Sequence, residues 1–272
     1  MNNRVNVLYL TTKCNLACDY CYEEASRLNL PDQLSVTTED IDKYLLEISK
    51  REKGCVSTVV IMGGEPFMKY ELLYYTILKM REFKNHKWGV SVITNTTLAP
   101  ISLVMELLKV KGLNTSLTFE LSYDVSGHFR RVYRRSGRSS RIVVENSIKA
   151  FIDNKIPFKI SYTIHKDNYN NFIKDCIYIF ERFGTDYIQS IKTSINCSEL
   201  GDMFNGDYEK AINKLRPYAE VLTEKYSVPI CDLVCGTKCF KCDKSNFIGK
   251  STFITDSIKY EELKTEKMFD SW

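Results

Sequence analysis

The sequence predicts an α/β protein: a partial TIM-like barrel of six β/α units, (β/α)6, with a small cysteine-rich metal-binding extension behind it. A short apolar run followed by an amphipathic stretch recurs in series between Val5 and Ile191. Such alternation packs as a parallel sheet with right-handed crossovers. A closed eight-unit barrel would need more chain than the 272 residues supply. Four of the ten cysteines fall in the stretch from Cys231 to Cys242, after the sixth unit. The expected division is 1–228 for the barrel and 229–272 for the extension.

Val5–Leu10 is the first strand. A helix over Thr38–Lys53 follows, with Thr37 or Thr38 as its cap and Ile41, Leu45 and Ile48 on one face. Val56–Met62, nearly all apolar, is the second strand, and a helix spans Lys69–Phe83. The third unit pairs Trp88–Ile93 with a helix over Ile101–Val110, and the fourth pairs Leu117–Ser122 with Arg141–Asn154. Phe158–Ile164 and Tyr187–Ile191 are the fifth and sixth strands, separated by a helix over Asn171–Phe183. In the extension, Phe247–Thr255 reads as a hairpin and Ile258–Met268 as a closing helix.

Hydrophobic residues make up 44% of the chain and charged residues 26%, an ordinary globular composition. No apolar run reaches the length of a membrane span and no secretory signal precedes Val5, so a cytoplasmic location is expected. The net charge of +4 is too mild to select a partner. Ten cysteines are many for such a chain, and metal ligation accounts for them better than disulfides. Cys55, Cys176 and Cys197 are scattered and read as buried small hydrophobes.

Cys14, Cys18 and Cys21 follow the first strand in the spacing C-x3-C-x2-C. Three thiolates on one tight loop can hold three irons of a [4Fe–4S] cube and leave the fourth iron open. A zinc knuckle or three structural cysteines are the plainer readings. Zinc sites usually take four ligands, and no fourth Cys or His lies nearby. After the second strand comes Met62-Gly63-Gly64-Glu65-Pro66, where paired glycines let a ligand approach the backbone. After the third comes Thr94-Asn95-Thr96, and after the fourth Ser122-Tyr123-Asp124. In barrels of this kind the loops at the carboxyl ends of the strands carry the active site.

The cysteine triplet with Gly63–Pro66 one strand later resembles the radical S-adenosylmethionine (radical SAM) enzymes, over about Val5 to Thr193. The strand-four segment resembles their peptide-modifying branch, which includes sulfatase-maturase-like enzymes and carries SPASM or Twitch extensions. The resemblance implies that Cys14, Cys18 and Cys21 hold a [4Fe–4S] cluster whose open iron chelates SAM. One electron then cleaves SAM to a 5′-deoxyadenosyl radical. It also assigns the backbone of Gly63, Gly64, Glu65 and Pro66 to the SAM amino group, and places Thr94 and Asn95 beside the cofactor. Tyr20 matches an aromatic beside the adenine. Ser122, Asp124 and an arginine serve the ribose and carboxylate; alone, Ser122 and Asp124 read equally as a polar strand cap. The chain departs from the family in two places. Thr96 replaces a glycine, and the arginine spacing after His128 is shifted, which leaves Arg131 and Arg134 both open with Arg134 favoured.

Arg130, Arg131, Arg134, Arg135, Arg138 and Arg141 lie in twelve residues. The plain reading is a solvated loop, made mobile by Ser136, Gly137, Ser139 and Ser140, with one arginine turned inward. The functional reading is a platform for an acidic peptide, with nucleic acid ranked below it because no RNA-binding signature accompanies the charge. Cys231, Cys235, Cys239 and Cys242 could fill an auxiliary [4Fe–4S] site or, less favoured, a tetrahedral zinc. The short reach before strand one predicts no dedicated leader-binding domain. The expected function is a radical SAM oxidoreductase that abstracts hydrogen from a peptide or peptidyl side chain, leading to oxidation or cross-linking. Its expected electron donor is of flavodoxin or ferredoxin type. The alternatives are a dehydrogenase of a small alcohol or amino sugar and a catalytically inactive SAM- or peptide-binding barrel.

Overall fold

A computed structural model describes residues 5–21, 36–52 and 54–231. Seven parallel strands run in sequence order: β1 (Val5–Thr11), β2 (Val56–Gly63), β3 (Lys87–Thr94), β4 (Thr115–Ser122), β5 (Phe158–Ile164), β6 (Ile188–Ile195) and β7 (Ile230–Cys231). Helices α1 (Thr38–Arg51), α2 (Tyr70–Met80), α3 (Ile101–Val110), α4 (Arg141–Asp153) and α5 (Phe172–Phe183) connect the first six strands. This is the partial barrel expected from sequence, extended by one two-residue strand. Two helices lie where none was expected: α6 (Cys197–Met203) and α7 (Tyr208–Tyr226), the latter running through Pro217.

Among the described residues β1 pairs only with β2 and β7 only with β6, so the sheet is open between them. Its convex face is apolar. Val90 and Val92 of β3, Phe119 and Leu121 of β4, and Phe158, Ile160 and Tyr162 of β5 pack beneath α3, α4 and α5 in one continuous core. The alternation of a strand then sends Ser91, Glu120, Ser122, Lys159, Ser161 and Thr163 to the concave face. Thr37 caps α1 through a reciprocal hydrogen-bond pair with Asp40, which is why that helix starts one residue later. Helix α2 begins after a 3-10 turn over Pro66–Lys69.

Cys176 is buried as expected, whereas Cys55 is exposed just ahead of β2, since it stands in the turn rather than on a packed face. The Cys197 side chain, Cys235, Cys239 and Cys242, the Phe247–Thr255 hairpin and the Ile258–Met268 helix lie outside the described residues. Among the described residues no helix is long and apolar enough to cross a membrane.

Candidate active site

The carboxyl ends of β1 to β5 meet at one rim, and backbone hydrogen bonds fasten the loops there. The amides of Gly64 and Glu65 donate to the carbonyls of Thr11 and Lys13, both at 2.8 Å, so the Gly-Gly-Glu-Pro turn is stitched onto the entrance of the cysteine loop. That close approach explains the glycines. A Cβ on Gly64 would collide with the Lys13 carbonyl, and Gly63, at φ +124°, would collide with that of Thr11.

The Glu65 side chain faces inward and is fully buried. Its Oε1 accepts from the Phe67 amide (3.1 Å) and Thr94 Oγ1 (2.8 Å), and its Oε2 from the Asn95 amide (2.7 Å). Burial raises its carboxyl to about 7, against the opposing pull of those three donors. Glu65 therefore ties the β2 loop to the β3 loop and offers nothing outward with its carboxylate. Asn95 carries the tie onward. Its Nδ2 donates to Asn15 Oδ1 (3.0 Å) and weakly to Cys14 Sγ (3.6 Å), while Thr97 donates back to Asn95 Oδ1 from both its amide and its hydroxyl. Thr96, at the place where the resemblance implies a glycine, adopts φ +63°, a left-handed conformation that glycine adopts without strain.

Cys14, Cys18 and Cys21 are half-buried on one loop and none is in a disulfide. Cys14 Sγ also accepts from the Leu16 amide at 3.4 Å. Burial pushes the Cys18 thiol up to about 12; Arg131 opposes this, and Cys21, Cys14 and Asp124 reinforce it. A cation must displace these protons before the sulfurs ligate. The donor set fits a cluster: three thiols outside any disulfide on a pinned loop beside a glycine cradle, with Cys14 Sγ already receiving N–H bonds.

The arginine segment is solvated over Arg134 to Ser139, as its composition predicts, but two arginines rather than one, Arg130 and Arg131, are buried. Val132 to Arg134 run antiparallel to the cysteine loop, with Ala17 N donating to Val132 O (2.8 Å) and Arg134 N to Asn15 O (2.9 Å). The Arg134 guanidinium donates to the carbonyls of Cys14 (3.4 Å) and Leu16 (3.2 Å), so it braces the loop that Cys14 begins. Arg131 is buried and forms a two-point pair with Asp124, Nε to Oδ2 at 2.6 Å and Nη2 to Oδ1 at 3.0 Å. Burial alone would raise the Asp124 carboxyl, but Arg131 and the Thr163 amide hold it below its ordinary value. The Tyr20 hydroxyl donates to the same carboxylate. His165 stacks on the Tyr20 ring at 5.1 Å, and the Arg130 and Arg131 guanidiniums lie 5.1 and 5.4 Å from its centroid.

Arg130 is also buried, which removes it from any exposed platform. It pairs in two-point fashion with Glu199 of α6 (2.7 and 2.9 Å), and reaches Asp19 (2.7 Å), Asp167 (3.1 Å) and His165 Nδ1 (3.0 Å). His165, Asp167 and Glu199 could gather a metal ion, but the cation among them is Arg130. Below, His128 is held neutral, its pKa lowered to about 3 by burial and then by Arg131; it bridges the Asp124 amide and Ser140 Oγ. Ser122 ends β4 near the rim, nine-tenths buried, beside Ser161. Asn15, Asp19, His165 and Glu199 are the participants that sequence reasoning missed, and only the position of Asn15 inside the cysteine motif gave a signal.

A parallel sheet whose carboxyl-end rim is built around a pinned three-cysteine loop defines a class. A family model for the radical SAM superfamily matches residues 8–176, more than half of the chain, and the chain belongs to that superfamily. Membership brings SAM and a [4Fe–4S] cluster. The particular relatives are distant. GTP 3′,8-cyclase of Syntrophomonas wolfei subsp. wolfei is 28% identical over 177 residues, 64% of this chain and 50% of the relative. An uncharacterized protein of Methanocaldococcus jannaschii is 24% identical over 163 residues, 60% of this chain and 53% of the relative. Among solved structures, native anSMEcpe with bound AdoMet superposes with a TM-score of 0.66 at 20% identity, covering 84% of this chain and 64% of that one. HydG, a maturase of the [FeFe]-hydrogenase, gives 0.55 at 13%, covering 84% and 51%. The chain spans about half the length of the curated relatives, and the structural likenesses are likenesses of fold.

Proposed function

We propose that this chain is a radical SAM enzyme whose cluster is held by Cys14, Cys18 and Cys21 and whose substrate is a peptide or peptidyl side chain, oxidised or cross-linked after hydrogen abstraction. The observation that carries the reading is the cysteine loop pinned at three places: by Gly64 and Glu65, by Asn95, and by the Val132–Arg134 strap. When bound, the cluster and SAM supply one-electron cleavage of SAM and a hydrogen-abstracting radical. The chain's own part is to orient and to exclude water. The backbone of Gly63 to Pro66 offers close contact to an amino group, Ser122 offers a hydroxyl at the rim, and Asn95 holds the loop while donating toward Cys14 Sγ. Arg134 acts through the loop it braces, and Asp124 through Arg131 and Tyr20.

Cys231, Cys235, Cys239 and Cys242 would hold an auxiliary [4Fe–4S] cluster, and the electron donor would be of flavodoxin or ferredoxin type. A small-molecule substrate is the second reading, favoured by the sequence similarity to GTP 3′,8-cyclase. The test is anaerobic reconstitution followed by dithionite and SAM, with 5′-deoxyadenosine measured by chromatography and candidate peptides and small alcohols followed by mass spectrometry. Formation of 5′-deoxyadenosine that disappears in Cys14→Ala, Cys18→Ala and Cys21→Ala supports the reading; undiminished formation in any of them refutes it. A modified peptide selects the first substrate class and an oxidised sugar or amino alcohol the second.

A further inference from the structure

The side chains of Asn15, Asn95 and Thr97 close into a ring that joins the cysteine loop to the end of β3. Asn15 Nδ2 donates to Thr97 Oγ1 (2.7 Å), the Thr97 hydroxyl donates to Asn95 Oδ1 (2.7 Å), and Asn95 Nδ2 donates to Asn15 Oδ1 (3.0 Å). The partners fix which end of the Asn95 amide is which. The Thr97 backbone N–H can only donate, and it meets Asn95 Oδ1 at 3.0 Å. Nδ2 must therefore face the cysteine loop, where Cys14 Sγ lies 3.6 Å away.

The ring is also held from outside. The Asn95 backbone N–H is anchored on the buried Glu65 Oε2 (2.7 Å), and Thr96, at φ +63°, turns the chain so that Thr97 comes back to Asn95. Asn95 is only 8% exposed, which limits competition from water for its amide protons. The Leu16 amide donates to the same sulfur at 3.4 Å. Cys14 Sγ thus receives one donor from its own loop and one from the end of β3, 81 residues along the chain.

The Asn95–Asn15 bond would be enough to tie the loop to β3. The second proton of Nδ2 does something a tie does not, because it brings the positive end of a dipole to a ligand atom. A reduced iron–sulfur cluster carries one more electron than the oxidised one, and its cysteine sulfurs share that charge. Hydrogen bonds to those sulfurs favour the reduced form and raise the reduction potential. We propose that the Asn15–Thr97–Asn95 ring aims Asn95 Nδ2 at Cys14 Sγ as a fixed donor that raises the reduction potential of a cluster held there. Asn95 is then a positioning residue that acts through Cys14. The inference rests on the proposed reading in taking Cys14 as a cluster ligand.

The test is a potentiometric titration of the anaerobically reconstituted full-length protein, reduced with dithionite and followed by electron paramagnetic resonance. The signal followed is the one that changes on adding SAM and that Cys14→Ala lacks, which separates it from an auxiliary cluster. Iron content is measured on every sample. Asn95→Leu, similar in shape but without a donor, should lower the midpoint by about tenfold in the reduction equilibrium, about 59 mV for one electron, with iron per chain unchanged. Should that variant fail to fold or to load, Asn95→Ser keeps a hydroxyl that can accept from the Thr97 amide but is too short to reach Cys14, and the same fall is expected. A midpoint that is unchanged or raised in a variant that keeps its iron overturns the proposal. So does a loss of iron with an unchanged midpoint in the clusters that remain, which is what a merely structural tie would give. Failure of the wild type to hold a SAM-responsive cluster, or an undiminished signal in Cys14→Ala, refutes the radical reading itself and is distinguishable from failure of this inference.

Discussion

Replacing Glu65 by Gln probes how the rim is held together. In the native protein the carboxylate accepts from three donors of two different segments: Phe67 in its own turn, and Thr94 and Asn95 at the end of β3. Gln can satisfy Phe67 and Thr94 with its carbonyl, but its amide then confronts the Asn95 N–H, and leaving that buried donor unpaired costs about 1–3 kcal/mol. The pH dependence is the sharper measurement. The folded carboxyl titrates at about 7 instead of its ordinary 4.5, so between those values the folded state binds more protons than the unfolded one. Stability from this group is then fully present below pH 4.5 and is lost as pH rises through 7. The difference is about 3 kcal/mol at 1.36 kcal/mol per unit. Urea unfolding of the apo-protein by circular dichroism, for wild type and Glu65→Gln from pH 4.5 to 8, isolates this contribution because other groups cancel in the difference. The wild type should lose about 3 kcal/mol relative to the variant over that range. A difference that stays flat, or that favours the wild type as pH rises, would show that the three donors keep the carboxylate ionised throughout, and would refute the reasoning.

Other outcomes follow from the same geometry. Asp124→Asn should destabilise the protein by about 3–5 kcal/mol, because it strands the buried Arg131 guanidinium; thermal unfolding measures it, and a loss under 1 kcal/mol would mean the pair is dispensable. Thr96→Gly should raise stability by about 1 kcal/mol by relieving φ +63°, checked by the same method. Arg134→Ala should weaken iron retention after gel filtration, since the side chain braces the carbonyls of Cys14 and Leu16; full iron content in that variant would remove it from the loop's support. Full reconstitution should yield about eight irons per chain, and replacing Cys231, Cys235, Cys239 and Cys242 by Ser should halve that; four irons with one zinc would make the second site structural.

How much of this was legible depended on the range over which each signal acts. The strands and helices up to β6 were readable because apolar periodicity is local, and the cysteine and glycine motifs because chemistry forces their spacing. The two final helices were missed: α6 is only seven residues long and α7 contains Pro217, so neither carries a clean amphipathic pattern. The arginines show the limit most clearly. Arg130, Arg131 and Arg134 are near neighbours in a polar, serine-rich stretch that reads as solvated loop. Their separate fates were decided by their partners, one of them seven residues away and the others far along the chain. Asp124 takes Arg131, and Glu199 of α6, 69 residues away, takes Arg130. Arg134 is left to the backbone of the cysteine loop, 118–120 residues back. A count of positive charge could not foresee this, because burial of a guanidinium is favourable only where a carboxylate or carbonyls already wait in two-point geometry. The same logic recasts the family comparison. Of the two arginines that the shifted spacing leaves open, Arg131 is buried and paired with Asp124, whereas Arg134 stays exposed at the rim while donating to the carbonyls of Cys14 and Leu16.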